Sequence, residues 1–330
     1  MLRKEIPFVR ALRLRRERVP SFQRYPFSLP AVRGLHELGL LENGVTFFAG
    51  ENGTGKSTLL EAIAVRLGFN PEGGSDDLRF STVHEAHSGL SEHVELLPGR
   101  GSAGDGFFVR TEGLFNLATE IDRQDEEMEA IAREAKKWSG VTMTGYRPMN
   151  LRYGGGRSLH AQSHGEAMLA LLNNRLRGGG IYLMDEPETA LSPLRQLALL
   201  SVMHRLVRGG SQLVIATHSP ILLACPGATI LEIGAGGGIE PVAFDQAEPV
   251  AVVRRERRQQ PGREPSARHE VVVLREVVGE PVAHDEDHPA PVAEQAAAEQ
   301  RCNGKRRQQD RLVVRDRLKT QATEQGLHQL

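Results

Sequence analysis

Cysteine is nearly absent: Cys225 and Cys302 are too few and too far apart for a disulfide framework or a thiolate zinc site, which fits a reducing cytoplasm. No apolar run approaches the roughly 20 residues needed to span a bilayer, and no apolar stretch suited to a secretory signal follows the Arg-rich start. A cytoplasmic location without a membrane segment is expected. Neither sign of charge dominates: 41 Lys and Arg face 42 Asp and Glu, which gives no electrostatic case for nucleic acid or anionic lipid as a partner of the whole chain. Aromatic residues are scarce and unevenly spread. Residues 245–330 contain no Phe, Tyr, Trp or Ile, and such a segment cannot easily offset its ordering entropy. A folded domain over residues 1–245 and a disordered or poorly packed tail over 246–330 are expected, with 308–318 weakly helical. A length of 330 residues sets two ordinary domains as the ceiling.

What is present reads as alternating strands and helices. Residues 1–49 suggest strands and turns: Phe8 to Leu14 alternates, and Val45-Thr46-Phe47-Phe48-Ala49 is an apolar run entering a Gly-rich loop. Leu59, Leu60, Ile63, Ala64 and Leu67 then recur at helical spacing. Residues 68–110, rich in Gly, Ser and His, show no sustained period and read as irregular decoration, part of an insertion over about 68–150. Residues 118–138 predict one helix with a thin stripe of Ile121, Met128, Ile131 and Ala135. Two further apolar runs, 181–184 and 212–216, end in acids and in Thr217-His218. The fold expected is α/β, with a mostly parallel sheet flanked by helices, an N-terminal antiparallel β portion, and ligands at the carboxyl ends of the strands.

The loop between the first apolar run and the first helix carries the most specific pattern. Gly50-Glu51-Asn52-Gly53-Thr54-Gly55-Lys56-Ser57 satisfies G-x-x-x-x-G-K-[ST] in the strand–loop–helix setting that its mechanics require. Glycines let consecutive N–H groups turn inward onto phosphates, and the helix after them, from Thr58, adds the positive end of its dipole. Lys56 would neutralise β- and γ-phosphate oxygens of ATP, and the Ser57 hydroxyl would ligate Mg²⁺. Met184-Asp185-Glu186-Pro187 supplies the complement. Two carboxylates closing an apolar strand are costly unless they serve a cation or stay solvated. Beside a phosphate loop, Asp185 would hold Mg²⁺, and Glu186 would orient or deprotonate the water attacking the γ-phosphate.

Ser163-His164-Gly165-Glu166, opening a helix about 20 residues before the acids, completes an order of elements that resembles the ABC-type P-loop ATPases, including SMC-like heads. The phosphate-loop run and the pairing of Val19-Pro20-Ser21-Phe22 with Tyr25-Pro26-Phe27 are similar to small bacterial AAA family ATPases related to that group. The resemblance covers about residues 5–245. It implies that Ser163, Gly165 and Glu166 face the γ-phosphate held by a second, head-to-tail copy, giving an ATP-dependent homodimer. It makes His218 the switch histidine that contacts the γ-phosphate. The residues by themselves also allow a plain capping box from Ser163 to Glu166 and a structural strand-end histidine. Two departures stand out. Ser192 replaces the usual aspartate of the loop after the acids, and no glutamine lies between the phosphate loop and Phe107 to serve as the customary metal-side ligand. DNA or an unidentified protein enters as a partner by family analogy alone.

The end of the chain departs further. Relatives of this kind end soon after the position of Phe244, and codons can be chosen for Arg258 through Glu270 such that a one-base shift spells a similar ending. Residues from about 246 onward are therefore expected to be an out-of-frame product. The functional expectation is Mg²⁺-dependent hydrolysis of ATP to ADP and phosphate. A nucleotide-gated binding module with negligible hydrolysis is the alternative, and a small-molecule kinase the third.

Overall fold

The computed structural model describes residues 8–40, 44–75, 88–99, 101–139 and 146–259, which fall within one compact unit. Strand β1 (Val9–Leu14) is followed by a short helix α1 (Pro30–Arg33), strand β2 (Glu37–Gly39) and strand β3 (Val45–Gly50), which leads into helix α2 (Lys56–Arg66). Strands β4 (Val94–Pro98) and β5 (Gly106–Arg110) precede the long helix α3 (Leu114–Ser139), then α4 (Met149–Tyr153) and α5 (His164–Arg175). Strand β6 (Ile181–Asp185), helix α6 (Pro193–Arg208), strand β7 (Gln212–Ala216), helix α7 (Pro220–Leu223), strands β8 (Thr229–Ile233) and β9 (Ile239–Val242) and helix α8 (Glu248–Gln259) complete the order.

The main sheet runs β5-β6-β7-β3-β8-β9, parallel throughout except for the antiparallel β8–β9 pair. Its central strands β3, β6 and β7 are buried at every position, as expected where helices cover both faces of a parallel sheet. On one face Phe47, Phe107, Tyr182, Met184 and Ile215 pack with residues of α3, α5, α6 and α8. On the other, Phe48, Phe108, Leu183 and Val214 pack with α2 and with the antiparallel sheet β2-β1-β4. Helix α2 lies between the two sheets, which is why Leu59, Leu60, Glu61, Ala62, Ile63 and Ala64 are all buried in succession. The Gln212 carboxamide joins the sheets by imitating a strand: its Oε1 accepts from Val9 N–H at 3.0 Å and its Nε2 donates to Val9 O at 2.8 Å.

Two sequence expectations are corrected. Residues 68–110 are not irregular throughout, since they supply β4 and β5, and β5 is a parallel edge strand of the main sheet. Its run Phe107-Phe108-Val109 is too short to show a period, and only pairing with β6 makes it a strand. Order also continues past residue 246: Ala247 and, from α8, Val250 and Val253 are buried against the core, and Glu248 N–H donates to Glu232 Oε1 at 3.1 Å. Composition averaged over the tail hid this one apolar stripe. The expectations for residues 260–330, including the out-of-frame reading beyond α8, lie outside the described residues.

At the amino end of the sheet a buried cation is fully used. Arg175, 3% exposed, donates to Asp105 at 2.6 and 2.9 Å, contacts the Tyr153 hydroxyl at 3.3 Å and sits over the Phe107 ring at 4.9 Å. The Tyr182 hydroxyl donates to Arg177 O at 2.5 Å and lies 3.0 Å from Asp105. Removing one partner of such a pair strands the other in low dielectric. Arg175→Ala is expected to lower unfolding free energy by about 3 kcal/mol, read from urea midpoints at unchanged m-value.

Candidate functional site

The sheet's register brings the chemistry to one edge. Arg110 at the end of β5 pairs with Asp185 at the end of β6, and Asp185 pairs with Ala216 at the end of β7, so four neighbouring parallel strands deliver their carboxyl ends side by side. The loop Gly50–Ser57 leaves β3 at that edge. Gly55 has φ 100°, and a side chain there would meet Leu29 and Ala31 at 3.2 Å, so glycine is required at this bend. Lys56 is 4% exposed, and its ammonium donates to the loop carbonyls of Gly50 at 2.9 Å and Glu51 at 2.8 Å. Burial lowers its pKa, while Glu186 and Asp185 act in the opposite direction.

The decisive contact lies across the edge: Ser57 Oγ donates to Asp185 Oδ1 at 2.8 Å. Asp185 is buried, and loss of hydration pushes its carboxyl up to about 6 against the opposing pull of the Ser57 hydroxyl and Arg110. Next to it, Glu186 takes a left-handed conformation at φ 45°, rare for a residue with a side chain and worth about 1–3 kcal/mol of strain. The turn is tied down by Thr111, whose hydroxyl donates to Asp185 O at 3.2 Å and Glu186 O at 3.0 Å. The Glu186 N–H extends the ladder to Ala216 O at 3.0 Å. His218 follows β7 with Nε2 3.5 Å from Glu186 Oε1, and burial and the nearby Lys56 charge lower its pKa.

Sequence reasoning missed three residues here. Glu188 accepts from the Thr217 hydroxyl at 2.7 Å and from His218 N–H at 2.6 Å, and so fastens the turn after β6 to the end of β7. Thr111 fixes the backbone of both acids, and Arg110 stands beside Asp185. The available signals were a third acid two positions past Glu186 and a lone charge ending an apolar run. Of five buried side-chain polar atoms without a hydrogen bond among the described residues, three gather at this edge: Arg110 Nε, Glu188 Oε2 and His218 Nε2. Buried polar atoms are rarely left unpaired, so this cluster suits a polar ligand with both donors and acceptors.

The remaining expected residues lie apart from these bonds. Glu166 accepts from Ser163 N–H at 3.0 Å and from the Ser163 hydroxyl at 2.6 Å, and its other oxygen is 3.5 Å from Arg195. This is the capping box at the start of α5. Gly165 has a steric reason: a side chain there would come within 2.7 Å of Ala190 O. The trio is mostly exposed, Gly165 excepted.

Known proteins resemble the chain in two stretches and over more than half of its length. Residues 154–224 match the family model described as an AAA domain, putative AbiEii toxin, type IV toxin–antitoxin system, and residues 32–137 match a second AAA domain model. The achromobactin transport ATP-binding protein CbrD of Dickeya dadantii is 26% identical over 57% of this chain and 68% of its own length. The chain is similar to AAA-domain proteins and to ABC-type ATP-binding proteins. Hemin import ATP-binding protein HmuV of Pseudomonas aeruginosa is 28% identical over 60% of the chain and 76% of its own length. For the petrobactin import ATP-binding protein FpuD of Bacillus anthracis the figures are 26%, 55% and 64%, so the chain spans just under two thirds of that relative. The SMC head domain from Thermotoga maritima, 17% identical, covers 63% of the chain and 93% of its own at a TM-score of 0.32. These similarities support ATP binding and hydrolysis in general. Among the described residues no helix is long and apolar enough to cross a membrane.

A pH prediction follows from Asp185. Its folded pKa, about 6, exceeds the unfolded carboxylate value, so the folded state binds the proton more tightly between about pH 4 and 6. Its contribution to stability is therefore highest below that window and is lost as pH rises through it, by about 3 kcal/mol at most. In chelator-treated, nucleotide-free protein, Asp185→Asn is expected to unfold at higher urea than wild type at pH 8. The gap should narrow toward pH 5, and a gap independent of pH contradicts the assignment.

Proposed function

We propose that the chain hydrolyses ATP to ADP and phosphate with Mg²⁺, as a head-to-tail dimer that closes around two nucleotides. The reading is carried by the 2.8 Å contact between the Ser57 hydroxyl and the Asp185 carboxylate at the mouth of the phosphate loop. Mg²⁺ when bound neutralises charge on the β- and γ-phosphate oxygens, and Ser57 and Asp185 are the residues that would hold it. One hydroxyl and one carboxylate suit an ion that keeps much of its water and takes phosphate oxygens as further ligands. No group of three or more acidic, His or Cys side chains forms a metal cage among the described residues.

The backbone N–H groups from Glu51 to Thr58 cradle the phosphates, and the Lys56 ammonium exchanges its carbonyl partners for β- and γ-phosphate oxygens. Glu186 accepts the proton of the attacking water, or orients that water, as the bond between the γ-phosphorus and the bridging oxygen of ADP breaks. The strained backbone of Glu186 and the ties from Thr111 supply the positioning on which phosphoryl transfer chiefly depends. His218 lies within reach of Glu186 and donates toward the terminal phosphate. Ser163, Gly165 and Glu166 belong to the partner's nucleotide. The exposure of Ser163 and Glu166, whose bonds run to each other and to Arg195, supports that division. Residues 1–245 form the ATPase domain, with α8 packed on it. We place it in the cytoplasm, where the buried thiol of Cys225 stays reduced.

Glu186→Gln is expected to lower phosphate release at least 100-fold, on the order of what a general base contributes, while ATP affinity stays within a few-fold. Equal background rates for wild type and variant would instead favour a nucleotide-gated module. The same variant should double in mass by light scattering when ATP and Mg²⁺ are added, and Ser163→Arg in that background should keep it a monomer with ATP bound.

A further inference from the structure

Arg110 is a cation held at the site without being used there. The parallel register sets it directly beside Asp185. Its guanidinium reaches three carboxylates only loosely, at 3.5 Å from Glu61, 3.4 Å from Glu112 and 3.9 Å from Asp185. The firm bond is to a backbone acceptor, Pro71 O, at 3.1 Å. Its Nε is buried with no hydrogen bond at all. Two of those acids have better partners already: Asp185 takes the Ser57 hydroxyl at 2.8 Å and Glu61 takes Ser88 N–H at 2.8 Å. The third, Glu112, is 85% exposed on its side chain and has water for company.

Arg175 shows what a structural arginine looks like in the same molecule, with Asp105 at 2.6 and 2.9 Å. Arg110, with no hydrogen bond at its Nε, is not saturated as Arg175 is. An unpaired buried donor costs about 1–3 kcal/mol unless something else completes it. The planar fork of an arginine matches a tetrahedral phosphate better than any other side chain does. A triphosphate lying between Lys56 and Asp185 brings its terminal group to the β6 end of the loop, where Arg110 stands.

We infer that Arg110 is a terminal-phosphate-binding residue: when ATP enters, its guanidinium leaves its loose acidic neighbours and donates to the γ-phosphate, so that the site tells triphosphate from diphosphate. This rests on the ATP-site reading above. It gives the edge strand β5 a place in the site.

The test compares binding of a non-hydrolysable ATP analogue and of ADP, each with Mg²⁺, by calorimetry on full-length wild type, Arg110→Gln and Arg110→Lys. Arg110→Gln is expected to weaken the triphosphate about 10- to 100-fold, the range of a lost charged hydrogen bond, and ADP less than about twofold. Arg110→Lys, which keeps the charge and loses the fork, should fall between. A merely structural arginine would weaken both nucleotides alike, in step with a lower melting temperature, and that result overturns the inference. Should Arg110→Gln not fold, Arg110→Lys decides: a triphosphate-to-diphosphate ratio equal to wild type also overturns it. Wild type that binds neither nucleotide would sink the ATP-site reading itself, whereas variants that keep wild-type discrimination would sink only the role of Arg110.

Discussion

Desolvated acids crowded at one edge of a parallel sheet dominate the energetics of this molecule. Asp185 and Glu188 are both raised in pKa by burial, and Glu186 stands between them on a strained turn. Within the chain the compensation is partial: one serine hydroxyl, two hydrogen bonds from the end of β7, and a lysine that spends its own donors on carbonyls. A fold selected for stability alone would place apolar or solvated groups there, since a buried carboxylate without a full set of partners costs several kcal/mol. The arrangement makes physical sense once a cation and a phosphate chain supply what is lacking.

The rest of the architecture holds that edge still. Strands β3, β6 and β7 are buried on both faces, so their carboxyl ends cannot shift without moving the core. Thr111 and Glu188 extend that rigidity past the strand ends, the first by pinning the carbonyls of Asp185 and Glu186, the second by joining the turn after β6 to His218. The Arg175–Asp105 cluster does a different task at the amino end of the sheet, where tight, saturated contacts leave nothing to offer a ligand. Comparing the two ends separates charge used for cohesion from charge kept available.

Much of this was legible in the residues. The spacing from Gly50 to Ser57 and the acids ending the run at Met184 depend on local chemistry that strand and helix periods expose, and the structure brings Ser57 and Asp185 together. What stayed hidden is what depends on pairing. Strand β5 has too few residues to show a period, so Arg110 and Thr111 looked like loop residues until the register with β6 put them beside the acids. The role of Glu188 has no local signal, because its partners, Thr217 and His218, are about 30 positions away and meet it only through the β6–β7 pair. Helix α8 was lost in an average: a composition poor in aromatics over 86 residues says little about whether Ala247, Val250 and Val253 share a face.

The placement of Glu188 bears on how hydrolysis would be felt elsewhere. Its carboxylate holds the backbone N–H of His218, while the imidazole of His218 lies against Glu186, so the turn after β6 and the end of β7 form a short closed loop of contacts. On the proposed reading, a change in charge at the terminal phosphate would act on His218 Nε2, which is buried without a hydrogen bond, and Glu188 would link His218 to the turn that carries Ala190. Ala190 O packs so closely on Gly165 that no side chain would fit there, and Arg195 bridges the same turn's helix to Glu166. The contacts therefore link His218 to the start of α5, the segment proposed above to face a partner copy. Coupling of this kind requires an element with two arrangements, and the turn at Glu186, held at φ 45°, is the place in these contacts where the backbone is strained.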